Sequence, residues 1–559
     1  MSIGDLVSRA YVGFRGVDFR GEEVELTRSP DSVNMWRNYR DIDGISTRPA
    51  VVKLEDFTEP VWGIFHYEVG NTEMELIHSG VKLYKVLNGV RTELYTGLNP
   101  RKSMSFIYNN IWYFKDGINY LQYDGKNISE VVGYVPTTSI GRKPAGGGTT
   151  YEDVNMLIGE RKNTFLGDGT STEYYLDAED IDDAIPVVTV NGVEVTDFTV
   201  NRAKGMITFK SAPPESATVG QDNVVIRFRK NVAGHRNRIN NCTLLQVFDN
   251  RVFFSGNPDY PNTVWHSSLN DPSYCSDLDF YNEGLDMAAV KGLVAGNNAL
   301  WVFKEPSQAN TTVFYHNPAI DSAQGKVYPS SHSSIYTGCI GAAINFNDDI
   351  VFFSERGMEA INGDVMSEQV LSHRSSLIDR KLVEEVGYED MTLAEWEGYL
   401  LVFVGNKVYL ADSRMIHAIE NHYEYEWFYW EFPDEVTCAT VHNEVLYIGT
   451  KNGVYTMAEE GDVESYWVTP IDKFKHPQHL KKTNKKGCVV EALGDVNVHV
   501  KTNKSEWKTY GEYEGVSDYF TARIQEKKFK DMQIKLSSAT RFRLESVVLE
   551  CFIGGYIKR

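Results

Sequence analysis

Gly338-Cys339-Ile340-Gly341-Ala342-Ala343-Ile344-Asn345-Phe346-Asn347-Asp348-Asp349-Ile350-Val351-Phe352-Phe353-Ser354-Glu355-Arg356-Gly357-Met358-Glu359-Ala360-Ile361-Asn362-Gly363 reads as three short strands in a row. An apolar strand runs into the turn Asn347-Asp348-Asp349, a second strand rich in Val and Phe follows, Glu355-Arg356-Gly357 reverses the chain, and a third strand begins. This is a blade motif, and nothing in it has the pattern of a catalyst.

Copies of the motif organise most of the chain. The first runs from Val61-Trp62-Gly63-Ile64-Phe65-His66-Tyr67 through a Val-Gly-Asn turn to Glu75-Leu76-Ile77-His78. The second places Asn109-Asn110 between Ser103–Tyr108 and Ile111-Trp112-Tyr113-Phe114. Later copies turn at Asp249-Asn250, Asn297-Asn298, Asn347-Asp348, Glu397-Gly398 and His442-Asn443, which makes seven. Measured on that turn, Asn250 to Asn298 is 48 residues, Asn298 to Asp348 is 50, Asp348 to Gly398 is 50 and Gly398 to Asn443 is 45. That is the spacing of propeller blades. The fold expected is all-β, a β-propeller of about seven blades. Six is the alternative, because the first motif is the weaker and the N-terminal arm can instead complete the last blade.

One interval breaks the rule: Asn110 to Asn250 is 140 residues, one blade plus a self-contained insertion. Pro144-Ala145-Gly146-Gly147-Gly148-Thr149-Thr150 reads as a flexible linker into it. Strand patterns around Val187–Val193, 206–209 and 224–228, with an Asn191-Gly192 turn, predict a small β-sandwich over 149–230 that folds by itself and can be removed. Residues 368–389 have the best helical spacing, with Val370, Leu371, Leu377, Ile378, Leu382 and Val383 apolar. After Met457 the alternation becomes strictly two-residue, which predicts a C-terminal β-sandwich. The divisions are therefore 1–58, an arm with closing strands; 59–143, blades 1 and 2; 144–232, the inserted sandwich; 233–460, blades 3 to 7; and 461–559, the C-terminal sandwich.

The chain of 559 residues is 12% aromatic with 45 Gly, which favours short strands and tight turns. Its net charge of −21 argues against broad adhesion to nucleic acid or anionic membrane, which runs on Lys and Arg. The charge is uneven: residues 461–559 hold 18 Lys+Arg against 13 Asp+Glu, about +5, leaving about −26 for the rest. Six scattered cysteines (Cys242, Cys275, Cys339, Cys438, Cys488, Cys551) form no C-x-x-C and read as reduced core residues made in a cytosol. No run approaches the 18 or so apolar residues of a membrane span, and Met1-Ser2-Ile3-Gly4-Asp5-Leu6 lacks a signal-peptide pattern, so a soluble chain that is not Sec-exported is expected.

No G-x-S-x-G elbow, H-E-x-x-H helix, Walker loop or dinucleotide fingerprint occurs. Ser255-Gly256-Asn257-Pro258-Asp259-Tyr260 approaches an Asp-box turn but lacks its central glycine, and reads as a turn between blade strands. Asp177, Glu179, Asp180, Asp182 and Asp183 have the residue type of a calcium site without its glycine-centred loop, and read as a solvated edge. Lys481, Lys482, Lys485 and Lys486 read as lysines facing water. Propeller glycosidases need two facing axial carboxylates, and none here is distinguished by its neighbours. The expectation is no catalytic, cofactor-binding or metal residues, no cofactor, and no enzyme.

Arg28-Ser29-Pro30-Asp31-Ser32-Val33-Asn34-Met35 with Thr47-Arg48-Pro49, the Phe254-Ser255-Gly256-Asn257-Pro258 turn, Phe353-Ser354-Glu355-Arg356-Gly357-Met358, and Ser372-His373-Arg374 through Asp379 together resemble the stabilisation proteins of tailed bacteriophages, β-propeller hubs related to the packaged-DNA stabilisation factor of short-tailed phages. The resemblance covers roughly 28–459. It implies a structural virion protein at the head–tail connector or tail that stabilises packaged DNA and anchors tail parts. The partners it implies are further copies in a ring, a hexamer being one form, the portal or adaptor or other tail proteins, and tail fibres. Packaged DNA would pass by without sequence-specific binding, and no membrane is involved. The alternative is a host-glycan-binding or glycan-cleaving tail protein, which needs clustered Trp or Tyr with paired carboxylates at an axial end of the propeller.

Overall fold

A two-residue hairpin turn matches the twist of its strands when both central residues take positive φ, a conformation Asn, Asp and Gly adopt most easily. Six of the seven blade motifs use such turns: Asn109/Asn110 at φ 49° and 59°, Asp249/Asn250 at 50° and 58°, Asn297/Asn298 at 52° and 58°, Asn347/Asp348 at 49° and 65°, Glu397/Gly398 at 51° and 76°, and Asn443/Glu444 at 48° and 66°. The computed structural model describes residues 5–21, 24–39, 44–308, 311–321, 325–361, 371–419 and 422–556. It is a β-propeller of seven four-stranded antiparallel blades, with an inserted β-sandwich and a C-terminal β-sandwich. The blades span 61–96, 104–130, 244–282, 290–332, 343–373, 392–431 and 436–458.

The seventh blade is completed by the N-terminal strand Ala50–Asp56, which pairs antiparallel with Gly453–Ala458 from Gly453↔Asp56 to Ala458↔Ala50. Both sequence alternatives were thus partly realised: the first motif is a blade, and the arm closes the last one. Closure removes the unpaired edge that an open sheet would leave.

The chain clusters into two compact units, 1–66 with 76–80 and 337–559, and 67–75 with 81–336. In the first, the arm does more than close a blade. Met35–Trp36 and Ile45–Thr47 lie between the outer strand of blade 6, His422–Glu431, and Phe542–Tyr556 of the C-terminal sandwich. One continuous sheet therefore runs from blade 6 through the arm into the C-terminal sandwich. Their apolar residues form one core, in which Phe14, Met35, Trp36 and Ile45 of the arm pack with Leu401, Trp430, Trp467, Val498 and Leu544. In the sandwich, His479–Thr502 is one strand of 24 residues, far longer than the roughly 3–10 residues usual for a strand. It changes partners near Gly494, whose φ of +98° and close approach to the Arg541 carbonyl leave no room for a side chain.

In the second unit, the insertion packs a six-stranded sheet against the three-stranded sheet Glu173–Tyr175, Met206–Phe209, Phe198–Asn201. Its first strand is Thr137–Arg142, so it begins before Pro144. The segment 144–150, expected as a linker, is a hairpin in which Ser139 pairs with Thr150. Between its two passes through the insertion, the chain returns to the blades. Met156 and Leu157 are buried with Tyr120, Ile239, Cys242 and Phe254. Excision of 149–230 takes both residues away, and core truncations of this kind cost about 2–5 kcal/mol each. The expected result is that replacing 160–229 by a short Gly/Ser linker leaves a folded propeller, whereas removing 149–230 lowers its melting temperature clearly further; equal melting curves would show that Met156 and Leu157 add nothing.

The helix expected over 368–389 does not form. Residues 368–370 lie outside the described residues; Leu371–His373 is the fourth strand of blade 5, and only Asp379–Leu382 is α-helical. Strand pairing to Gly357–Ile361 overrides the local periodicity.

Candidate functional site

The first strands of blades 6 and 7 touch each other, as innermost strands of neighbouring blades do. Their turns carry the only glutamates among the positive-φ residues of the first turns in these blades, Glu397 and Glu444. Around them is a cavity of about 370 Å³ lined by Glu395, Trp396, Glu397, Gly398, Val441 and Glu444. Trp396 stacks on Trp36 of the arm, with ring centres 5.7 Å apart and planes within 14°. Its Nε1 donates to the Glu444 carbonyl at 3.1 Å, so the indole is held from both blades. Glu395 is exposed by area, yet desolvation raises the pKa of its carboxyl. Sequence reading missed this place. The signal was a Glu where other blades have Asn, Asp or Gly at the same turn position.

Beside it, His442 stacks on His66 at 4.0 Å and 7°, with Tyr447 at 4.6 Å from His66. Ring-nitrogen lone pairs lie in the ring plane, so two parallel imidazoles do not converge on one ion from this arrangement. Asn443 Nδ2 lies 3.0 Å from His442 Nε2.

The residues singled out by sequence are mostly engaged elsewhere. Asn257 donates to the Arg238 carbonyl at 2.9 Å, and 255–262 is a turn joining two strands of blade 3. Asp182 accepts from Asn231 and lies 3.6 Å from Arg229, while Asp183 pairs with Arg202 at 3.3 Å, so these acids are spread over separate partners. Lys481 corrects the expectation of lysines facing water: it is buried and donates to the His476 and Lys530 carbonyls at 2.7 and 2.6 Å. Lys482 and Lys485 are exposed, and the Lys486 side chain lies outside the described residues. All six cysteines are buried thiols, outside any disulfide.

Two further groups have the residue types of catalysts without their order. In blade 4, Ser330 donates to Glu283 at 2.6 Å, and Glu283 lies 2.7 Å from His316 Nε2. The carboxylate stands between Ser and His, so the imidazole does not meet the Ser proton as in a nucleophilic triad. Lys115 donates to the Ile239 and Asn240 carbonyls, capping the short helix His235–Asn240, and desolvation lowers its pKa to about 8.

In blade 5, His373 lies between Glu359, 3.2 Å from Nδ1, and Asp379, 2.5 Å from Nε2. Burial alone would lower its pKa, but the hydrogen bonds to Asp379 and Glu359 outweigh it and push it up to about 10. Ser375 donates to the other Asp379 oxygen at 2.6 Å. The folded-state pKa is raised above the ordinary value near 6.5, so this stabilisation is full below about pH 6.5 and is lost as pH rises toward 10. Wild type is expected to lose several degrees of melting temperature between pH 7 and 10; His373→Gln should start lower and show a flatter decline. Parallel melting curves for the two would refute this role for His373.

No family model and no curated protein matches the chain. Solved structures similar to it include the computationally designed Ika8 protein, at 12% identity and TM-score 0.31 over 74% of this chain and 99% of that one. BamB from Moraxella catarrhalis matches at 10% identity and TM-score 0.33, over 74% and 96%. The exo-beta-1,3-galactanase of Phanerochaete chrysosporium with galactose matches at 8% identity and TM-score 0.22, over 55% and 94%. Likeness this distant carries no argument about activity, and the propeller is argued from its own strand pairings.

Proposed function

We propose that this chain is a structural hub of a tailed bacteriophage particle, at the head–tail connector or in the tail. In this reading it forms a ring of identical copies that stabilises packaged DNA, anchors tail parts, and catalyses no reaction. The observation that supports the reading is what the resemblance residues do. Arg28 is wholly buried and grips Glu426 of blade 6 through Nε at 2.9 Å and Nη2 at 2.6 Å. Ser29 and Ser32 donate to the Val468 and Tyr466 carbonyls of the C-terminal sandwich, and Asn34 to that of Glu464. Arg48 then donates to Asn34 Oδ1 and to the Glu431 carbonyl, at 2.8 Å each. These residues bind the propeller and its C-terminal module through one rigid joint, which suits a load-carrying part. An acidic surface would let DNA pass without adhesion, since cationic contacts are what hold phosphate.

Electron microscopy of the purified protein tests this together with a hydrolysis assay on bacterial surface polysaccharides. Rings without hydrolysis are expected. A monomer that cleaves a host glycan would overturn the hub in favour of the glycan-directed alternative.

A further inference from the structure

From the cavity between the first turns of blades 6 and 7, we infer that a lysine side chain of a second copy docks against Trp396, presented by the exposed lysine end of that copy's C-terminal sandwich. The inference rests on the ring of copies proposed above and names the contact that builds it.

The lining is rich in acceptors and poor in donors. Among the six lining residues the polar side chains are three glutamates and one indole, and the indole N–H is already spent on the Glu444 carbonyl. Ionised carboxylates only accept hydrogen bonds. A saccharide hydroxyl both donates and accepts, and these six side chains leave no donor for its lone pairs; Arg414, beside Gly398, is engaged by the Glu397 carbonyl at 2.8 Å and by Asp412 at 3.1 Å. An ammonium group has three donors and no acceptor, and its aliphatic stem suits an aromatic floor. Trp396 supplies that floor, braced from behind by Trp36.

The two turn glutamates also carry a backbone cost. The left-handed conformation costs a residue other than Gly, Asn or Asp roughly 1–2 kcal/mol. Glu397 at φ 51° and Glu444 at φ 66° take it where turn chemistry would prefer Gly or Asn.

The same chain offers a complementary surface. Strand pairing sets Lys482 opposite Lys527, and Lys481 opposite Phe529. Lys473, Lys475, Lys482, Lys527, Lys528 and Lys530 are exposed at this end of the sandwich. Lys475 and Lys528 also stand at positive φ, 59° each. Two different surfaces that meet between copies, an acidic pocket and a lysine end, make a heterologous contact, the kind that closes a ring when repeated.

The test uses the full-length chain and sedimentation analysis at near-physiological salt. Glu395→Lys/Glu444→Lys and Lys527→Glu/Lys528→Glu should each weaken assembly at least tenfold. An equimolar mixture of the two should restore it, since every contact in an alternating ring is again between opposite charges. Glu444→Gly creates the Asn-Gly pair that this turn favours, so it should melt no lower than wild type while assembling more weakly; that separates the contact from folding. Wild-type rings that persist unchanged in both charge reversals would overturn the lysine contact and leave the hub standing. A wild type that is monomeric at every concentration would overturn both. Binding to a glycan array that disappears in Trp396→Ala would replace the lysine by a saccharide.

Discussion

Shortened to begin at Glu59, the chain is expected to give no soluble protein with a cooperative unfolding transition. The truncation takes away the strand Ala50–Asp56 and leaves Gly453–Ala458 as an open edge of blade 7. It also strips Tyr11, Phe14, Met35, Trp36 and Ile45, each at most 4% exposed, from the core shared by blade 6 and the C-terminal sandwich. Burying a large apolar side chain contributes about 1.5–3 kcal/mol, so the five together match the roughly 5–15 kcal/mol by which a whole domain is stable. Far-ultraviolet circular dichroism on heating, with size-exclusion chromatography, reads the outcome. A melting curve within a degree or two of wild type would show that neither closure nor the shared core depends on the arm.

Arg28→Ala is the point substitution with the largest expected effect. Both partners of the Arg28–Glu426 pair are fully buried, and the second cation near Glu426, Arg15 at 2.8 Å, is partly exposed. Removing one partner of a buried pair costs about 3–5 kcal/mol when the other charge is left uncompensated; Arg15 compensates Glu426 in part, which places the expected loss at the low end of that range. Arg28→Lys should recover little, because an ammonium cannot reproduce the two-pronged contact. The double variant Arg28→Met/Glu426→Met should recover most of the loss, as apolar replacement of a buried pair is often neutral. Additive losses in the double variant would show that the two residues act independently and that the joint is held by its other contacts.

The blades were legible because their signals are local. Asn-Asn, Asp-Asn and Asn-Asp pairs between apolar runs fix the hairpins within a few residues, and the repeat of 45 to 50 residues counts them. The same locality misled elsewhere. Residues 368–389 have helical spacing, but the fourth strand of blade 5 takes Leu371–His373 because its partner Gly357–Ile361 offers an edge that local spacing does not reveal. Glycine-rich composition at 144–150 reads the same in a linker and in a hairpin; what decided was the pairing of Ser139 with Thr150. Lys481 looked solvated among its lysine neighbours, yet strand alternation turns it inward, where two carbonyls hold it. The Trp396 cavity needs residues from two blades and the arm, brought together only by folding, although Glu397 and Glu444 at turn positions were its trace in the chain.

By itself, then, the amino-acid order determined the all-β class, the seven hairpin units, the presence of an insertion and the uneven charge, because each rests on turn chemistry, two-residue alternation or composition, all read within a short window. The sequence offered the arm as a closing element, and the tertiary structure alone decided that Ala50–Asp56 is the closing strand and that the arm also joins blade 6 to the C-terminal sandwich. Arg28 and Glu426 are 398 positions apart, and Thr47 and Phe542 are 495 apart. No periodicity along the chain relates partners so distant, and only burial of both in one core, with their polar atoms satisfied by each other, selects that pairing.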